Sequence, residues 1–310
     1  GNVDELLRRI YEIANNLEGR PTYEVVLVND GSKDRTLELA HAALARYAHL
    51  VIVSLSRNFG HQIAATAGLD TARGEAVVLM DGDLQDPPEL IADFMQKWRE
   101  GYDVVYATRK SRKGESPFKL LTARVFYRVI KRLTNVSIPV DTGDFRLMSR
   151  RVVDALGQTR EKNRFLRGLV SWIGFNQIGV EYVRDERFSG TTKYPFSKML
   201  RFAIDGITSF SEIPLRFSTY FGFIVSGFAF AYAIIVLAMK IAGMDFTPGY
   251  PSTLVAILFL GGVQLITIGI LGEYVGRVYD EIKARPLYLV GSVERSPQSA
   301  RAGQAALPRS

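Results

Sequence analysis

An apolar run of strand length, Val77-Val78-Leu79-Met80, drives into Asp81-Gly82-Asp83-Leu84-Gln85-Asp86 and is stopped by Pro87 and Pro88. Carboxylates one residue apart at the end of a buried strand point into the crevice where open α/β sheets bind ligands. Holding like charges together away from water is costly unless a cation joins them. A hard divalent ion, Mg2+ or Mn2+, shared with a substrate diphosphate meets that need. An acidic turn capping the next helix is the plainer alternative, and Asp86, just before the prolines, suits that structural task.

The elements that must position these carboxylates alternate. Glu24–Asp30, Val51–Ser56, Ala76–Met80 and Val104–Thr108 read as short β-branched strands, and helical patterns run over Leu37–Tyr47, His61–Thr71 and Pro88–Arg99. That alternation predicts an α/β domain with a mostly parallel, doubly wound sheet. A helix over Asp4–Leu17 opens the chain with no strand before it, although right-handed strand-helix-strand logic expects one. A natural first strand, and part of the ligand site with it, is therefore expected to be missing from the numbered sequence.

With 310 residues and 47% hydrophobic content, the chain has room for one sizeable domain and something more. No charge occurs from Phe217 to Met239 or from Phe246 to Gly272, and each run is long enough to span a bilayer as a helix. The connecting segment, Ile241 to Thr253, carries only Asp245, whereas Lys193, Lys198, Arg201 and Arg216 precede the hairpin and Arg277, Lys283 and Arg285 follow it. The positive-inside rule then puts both the N-terminal domain and the C-terminus in the cytoplasm. A net charge of +7 suits an anionic membrane surface; nucleic acid is the competing partner, and a membrane hairpin argues against it. With no cysteine and three scattered histidines, zinc is not expected; His61 reads as a helix-start or core histidine and His41 as a lone surface one.

Several motifs, in order, resemble one family. Val28-Asn29-Asp30-Gly31-Ser32-Lys33-Asp34-Arg35-Thr36 is similar to the V-x-D-G-S-x-D-x-T motif of family 2 glycosyltransferases, which have the GT-A fold. Ser56–Gln62, Asp81–Pro88, Asp141–Leu147, Asn163–Gly168 and the hairpin resemble its polyprenyl-phosphate branch, which includes dolichol-phosphate mannose synthase and the bactoprenol glucosyltransferases. The resemblance covers roughly Asp4 to Leu289 and lacks the family's first strand, whose Y-N-E-E end contacts the nucleotide.

What the resemblance implies can be set beside the chemistry. Asp30 is placed against the nucleotide base or ribose, with a cap of the Gly31-Ser32 turn as its structural alternative; Asp81 faces the ribose side, Asp83 the metal, and Gln85 nearby is a neutral oxygen ligand or an acceptor contact. Asp144 is the candidate catalytic carboxylate, with Asp141 the structural member of the pair. A lipid monophosphate has a second pKa near ~6, so it is already nucleophilic at neutral pH and barely needs a base. Asp144 is therefore expected to orient the acceptor or sugar, or to stabilise oxocarbenium character, more than to take a proton.

An anionic acceptor needs cations, and Lys and Arg crowd residues 109–132 against one acid, Glu115. Phe118–Leu133 has the spacing of a basic amphipathic helix that lies on a bilayer. Arginine forks suit phosphate, so Arg109, Arg124 and Arg128 are the candidates for the lipid phosphate, with a general attraction to anionic lipid as the alternative. Arg187-Phe188-Ser189-Gly190-Thr191-Thr192-Lys193-Tyr194 resembles the family's R-x-x-G-x-S-K-Y loop, which implies a lid whose Arg187 and Lys193 close over the diphosphate.

The expected organisation is a cytoplasmic catalytic domain over 1–190 with an interfacial helix at about 116–134, a lid and second interfacial helix over 191–216, a hairpin over 217–276 with spans at about 217–240 and 253–275, and a cytoplasmic C-terminal segment over 277–310. Within that last segment Pro286–Val290 suits a short strand pairing with a neighbouring subunit, and Ser292–Ser310 reads as disordered. Gly261, Gly262, Gly269, Gly272 and Gly276 mark close helix approach, within the hairpin or in a homo-oligomer.

The expected activity is inverting transfer of one sugar, glucose from UDP-glucose, to a polyprenyl (undecaprenyl) phosphate at the cytoplasmic face of a bacterial inner membrane. Ser56–Gln62 and Asn163–Phe175 look closest to the bactoprenol glucosyltransferases; mannose from GDP-mannose is the alternative. A processive synthase would need a Gln-x-x-Arg-Trp motif and further spans. A non-catalytic membrane scaffold or flippase accessory would not need Asp81, Asp83 and Asp144 intact.

Overall fold

The structure is a computed structural model that describes residues 2–109, 142–182, 213–243 and 249–297. The expected interfacial helices, the lid loop, Asp141 and the side chains of Arg109, Arg124, Arg128, Arg187 and Lys193 lie outside the described residues.

The expected α/β alternation is present. α1 (Asn2–Asn16) leads to β1 (Val25–Asn29), α2 (Thr36–Leu44), β2 (Leu50–Leu55), α3 (His61–Thr71), β3 (Ala76–Leu79), α4 (Leu90–Arg99), β4 (Val104–Arg109), β5 (Thr142–Ser149), α5 (Arg150–Gln158), α6 (Leu166–Ile173) and β6 (Gln177–Tyr182). β2 is buried along its whole length, which is why it reads as a continuous apolar run. Its side chains alternate between faces. Leu50 and Ile52 pack with Leu7 and Tyr11 of α1 and with Ala40 and Ala43 of α2. Val51, Val53 and Leu55 pack with Ala67 of α3.

Among the described residues the strands form two sheets, and the pairing is mixed. β1 and β2 are parallel, as are β4 and β6. β5 runs antiparallel between β3 and β4. A ring contact between Phe94 and Phe145, 4.9 Å between centroids, joins α4 to β5.

Two expectations for local structure are corrected. α4 begins at Leu90 after Glu89, and no side chain caps it. Asp86 is instead buried, and its carboxylate accepts the hydroxyl of Tyr182 at the end of β6. A buried carboxylate must find donors, and the neighbouring strand offers one that the helix start does not. The second correction concerns the C-terminal segment. The strand is β7 (Val290–Arg295), later than expected, and it pairs antiparallel with β2 of its own chain. It is held by Ser56 N–H to Leu289 O at 2.9 Å, by Ser296 N–H to Leu50 O at 2.9 Å, and by His41, which lies 3.0 Å from Glu294 and so is not a lone surface residue. Residues 292–297, expected to be disordered, are thus part of the fold.

Before β7 come α7 (Ile213–Ile241) and α8 (Tyr250–Ile282). At 29 residues, α7 is about 40 Å long, against a hydrocarbon core of about 30 Å. Leu215–Val236 and Val255–Ile282 are long and apolar enough to cross a membrane. Phe223 is 73% exposed and Phe228 75%, which marks a surface made for something other than water.

Candidate functional site

β3 and β5 are antiparallel with Leu79 opposite Arg146. Continuing that register by two residues brings Asp81 opposite Asp144. Two carboxylates far apart in sequence therefore meet at one end of the sheet because the strands run in opposite directions.

The first turn of α3 closes over that end. Its start is fixed by a clamp on β1: the Asp30 carboxylate accepts the Phe59 N–H at 2.7 Å and the Gly60 N–H at 2.9 Å, and Asn58 Nδ2 donates to Asp30 O at 2.9 Å. Gly31 has a φ of +66°, and a Cβ there would sit 2.6 Å from Asn58 N, so only glycine fits the clamp. The Gly31-Ser32 turn is capped by Asn29, whose Oδ1 accepts the Ser32 N–H at 3.1 Å. The clamp delivers His61 and Gln62 to the carboxylates.

Asp144 is only 5% exposed. Its Oδ2 is hydrogen-bonded to His61 Nε2 at 2.9 Å and to Gln62 Nε2 at 3.0 Å. Its Oδ1 lies 3.0 Å from Arg167 Nε and 4.0 Å from an Arg146 terminal nitrogen. Neither Asp144 Oδ1 nor Arg167 Nε makes an aligned hydrogen bond, so acceptor capacity remains on Oδ1. His61 Nε2 also stands 3.5 Å from Asp81 Oδ1 and bridges the two acids.

These contacts set the charges. Burial alone would raise the Asp144 pKa, but the His61 hydrogen bond and the Arg167 and Arg146 guanidiniums outweigh it and hold the carboxyl well below its ordinary range. The hydrogen bond to Asp144 likewise raises the His61 pKa, with Asp81 adding and burial opposing. Arg146 is pushed down to about 10 by burial, Asp144 opposing. It donates to Gly143 O at 2.9 Å. The result is an ionised, weakly basic carboxylate held by cations, able to stabilise or orient positive charge and poorly suited to taking a proton.

Asp83 stands one turn away, its carboxylate accepting the Gln85 N–H at 3.1 Å. Leu84 between them has a φ of 59° and is buried. A left-handed leucine is costly and persists only where surrounding packing imposes it, as functional turns do. The Asp81 pKa is raised, chiefly by burial, with Asp144, Asp83 and Asp86 adding and His61 opposing. Surroundings that favour a proton on a carboxylate favour a cation beside it too. Among the described residues, no group of three His, Cys, Asp or Glu converges to hold a metal alone. Mg2+ commonly takes one or two carboxylates and fills its shell with water and substrate phosphates. Asp83 with Gln85 fits a cation that arrives with a diphosphate.

The structure thus brings Asp81 and Asp144 together, with Asp83 and Gln85 on the adjoining turn, and puts the Asp30 carboxylate into the clamp on α3. His61, Gln62, Arg146 and Arg167 were not expected to be site residues. All four fall inside motifs quoted above for their likeness to the family, and polar side chains concentrated in such motifs were the available signal.

Residues 2–157 match the profile described as Glycosyl transferase family 2. The chain is 50% identical to the glycosyltransferase YkcC of Bacillus subtilis over 288 residues, 93% of this chain and 88% of that protein. It is 43% identical to a prophage bactoprenol glucosyl transferase homolog of Escherichia coli, covering 95% of this chain and 97% of that one. A solved mannosyltransferase of Pyrobaculum calidifontis, in complex with GDP-Man and Mn2+, aligns with a TM-score of 0.43 at 18% identity over 90% of this chain and 80% of that one.

Proposed function

This chain belongs to glycosyl transferase family 2, and from that premise we propose that it moves a single glucose, with inversion, from UDP-glucose to a polyprenyl (undecaprenyl) phosphate at the cytoplasmic face of a bacterial inner membrane. The observation that carries the reading is the convergence of Asp81 and Asp144 on His61, 3.5 and 2.9 Å away. A scaffold would have no reason to bury Asp144 among His61, Arg146 and Arg167. The acceptor and sugar are supported by a relative named for bactoprenol glucosyl transfer and by two helices long enough to anchor the chain where such a lipid resides.

In this reading Asp30 and Asp81 serve the nucleotide side, and Arg187 and Lys193 close over the diphosphate. Asp83 and Gln85 would hold Mg2+ or Mn2+, and such an ion would offset the charge that develops on the departing diphosphate. Arg109, Arg124 and Arg128 hold the lipid phosphate. One phosphate oxygen attacks the anomeric carbon from the face opposite the diphosphate, the bond to the diphosphate oxygen breaks, and UDP leaves with that electron pair. The attacking oxygen is already ionised. Asp144, itself ionised, orients the sugar or acceptor and stabilises positive charge at the anomeric carbon.

The purified protein, with labelled sugar donors and undecaprenyl phosphate in detergent, tests this. Labelled lipid is expected from UDP-glucose with Mn2+ or Mg2+ and not with EDTA. Product only from GDP-mannose would replace the sugar and keep the reaction. No product from any donor would favour a non-catalytic scaffold.

A further inference from the structure

A path from α8 to Asp144 runs through residues 159–167. At one end, Gln62 uses both ends of its amide: Nε2 donates to Asp144 Oδ2 at 3.0 Å, and Oε1 accepts the Leu166 N–H at 2.9 Å. Arg167 follows at once and supplies the cation 3.0 Å from Asp144 Oδ1. In the middle, Arg164 is buried and donates to Thr159 O and Leu156 O, closing the segment on itself. At the other end, Arg160 pairs with Asp70 through both terminal nitrogens, at 2.7 and 3.1 Å.

The residues around the end of α8 hold that segment once directly and once through Asp70 of α3. Glu281 Oε2, in the last turn of α8, accepts the Lys162 N–H at 3.1 Å. Tyr288, seven residues on, donates its hydroxyl to Asp70 Oδ2 at 2.7 Å, the same oxygen that receives Arg160.

We infer that Glu281 is a positioning residue: by holding Lys162 it sets the 159–167 segment, and through it the place of Arg167 against Asp144. The inference rests on the proposed role of Asp144. Its consequence is that the end of the second long apolar helix fixes the geometry of the catalytic carboxylate. A contiguous chain of hydrogen bonds with a closed, buried turn in its centre can carry such positioning over several residues. A displacement of about 1 Å at a catalytic group costs up to about a hundredfold in rate, so a frayed tie should register in turnover.

Glu281→Ala and Glu281→Gln are compared with the wild type in the full-length protein, reading kcat and donor KM separately. Glutamine keeps an acceptor for the Lys162 N–H and alanine does not. The expected result is roughly a tenfold loss of kcat for Glu281→Ala, donor KM within about twofold of wild type, and near-complete rescue in Glu281→Gln. In an Arg167→Lys background the alanine effect should shrink to within about twofold, because a flexible ammonium is not held in register as a guanidinium fork is. Unchanged kcat in Glu281→Ala, equal loss in alanine and glutamine variants, or an undiminished effect in the Arg167→Lys background would each overturn the inference. Wild-type protein that forms no product at all would instead overturn the functional reading on which it rests.

Discussion

Asp144 sits where a family catalytic carboxylate is expected, yet its surroundings make it a weak base. His61, Arg167 and Arg146 hold it ionised well below the ordinary carboxylate range. Asp144→Asn should therefore lose about a hundredfold in kcat to the same extent at about pH 5.5 and about pH 8. A loss confined to the lower pH, where more of the acceptor phosphate is protonated, would restore a proton-accepting role. The His61–Asp144 contact also predicts how stability follows pH. The folded-state pKa of His61 is raised above its ordinary 6.5, so its contribution is full below that value and fades as pH climbs through the raised one. The thermal midpoint of the wild type should exceed that of His61→Gln most at low pH, and the gap should narrow above neutrality. A gap that widens with pH would contradict the charged pairing. His61 itself shows why this site was only half legible. A histidine opening a helix is unremarkable in one dimension, and its partner Asp144 is 83 residues away.

At the scale of elements, β2 bears the most weight. It is covered by α1 and α2 on one face and α3 on the other, and flanked by β1 and β7. Ile52→Ala should cost about 2–5 kcal/mol, read as a fall of roughly 5–20 °C in thermal midpoint. A fall within error would mean the site collapses freely around the smaller side chain. The helix-strand alternation was legible because periods of 3.6 and 2 show through in the apolar pattern; α3 spans His61–Thr71 as expected. The mixed pairing was not legible. Alternation tells which strands exist, and the direction of β5 depends on where the chain re-enters the sheet. β7 was misread for a related reason. Leu289, Val290 and Val293 stay about half exposed, so the strand lacks the alternation of a buried one and its partner strand lies far back in sequence.

For the whole molecule, the C-terminal segment passes from α8 back to the catalytic domain and adds a strand to its sheet. If α7 and α8 cross a bilayer as a hairpin, that return requires both of its ends on one side, which the flanking basic residues also favour. Reporter fusions test the arrangement. A phosphatase that works only outside the cytoplasm should be inactive when fused after Ser310 and active when inserted between Ala242 and Tyr250. The reverse pattern would contradict the proposed orientation.

The central claim is that one glucose passes to a lipid phosphate with inversion. The most direct measurement is the structure of the lipid made from UDP-glucose and undecaprenyl phosphate, by mass spectrometry and by the anomeric coupling in NMR. The account predicts undecaprenyl phosphate enlarged by a single hexose in the β configuration, opposite to that of the donor. A retained α linkage, more than one sugar per lipid, or free glucose in place of glycolipid would contradict it.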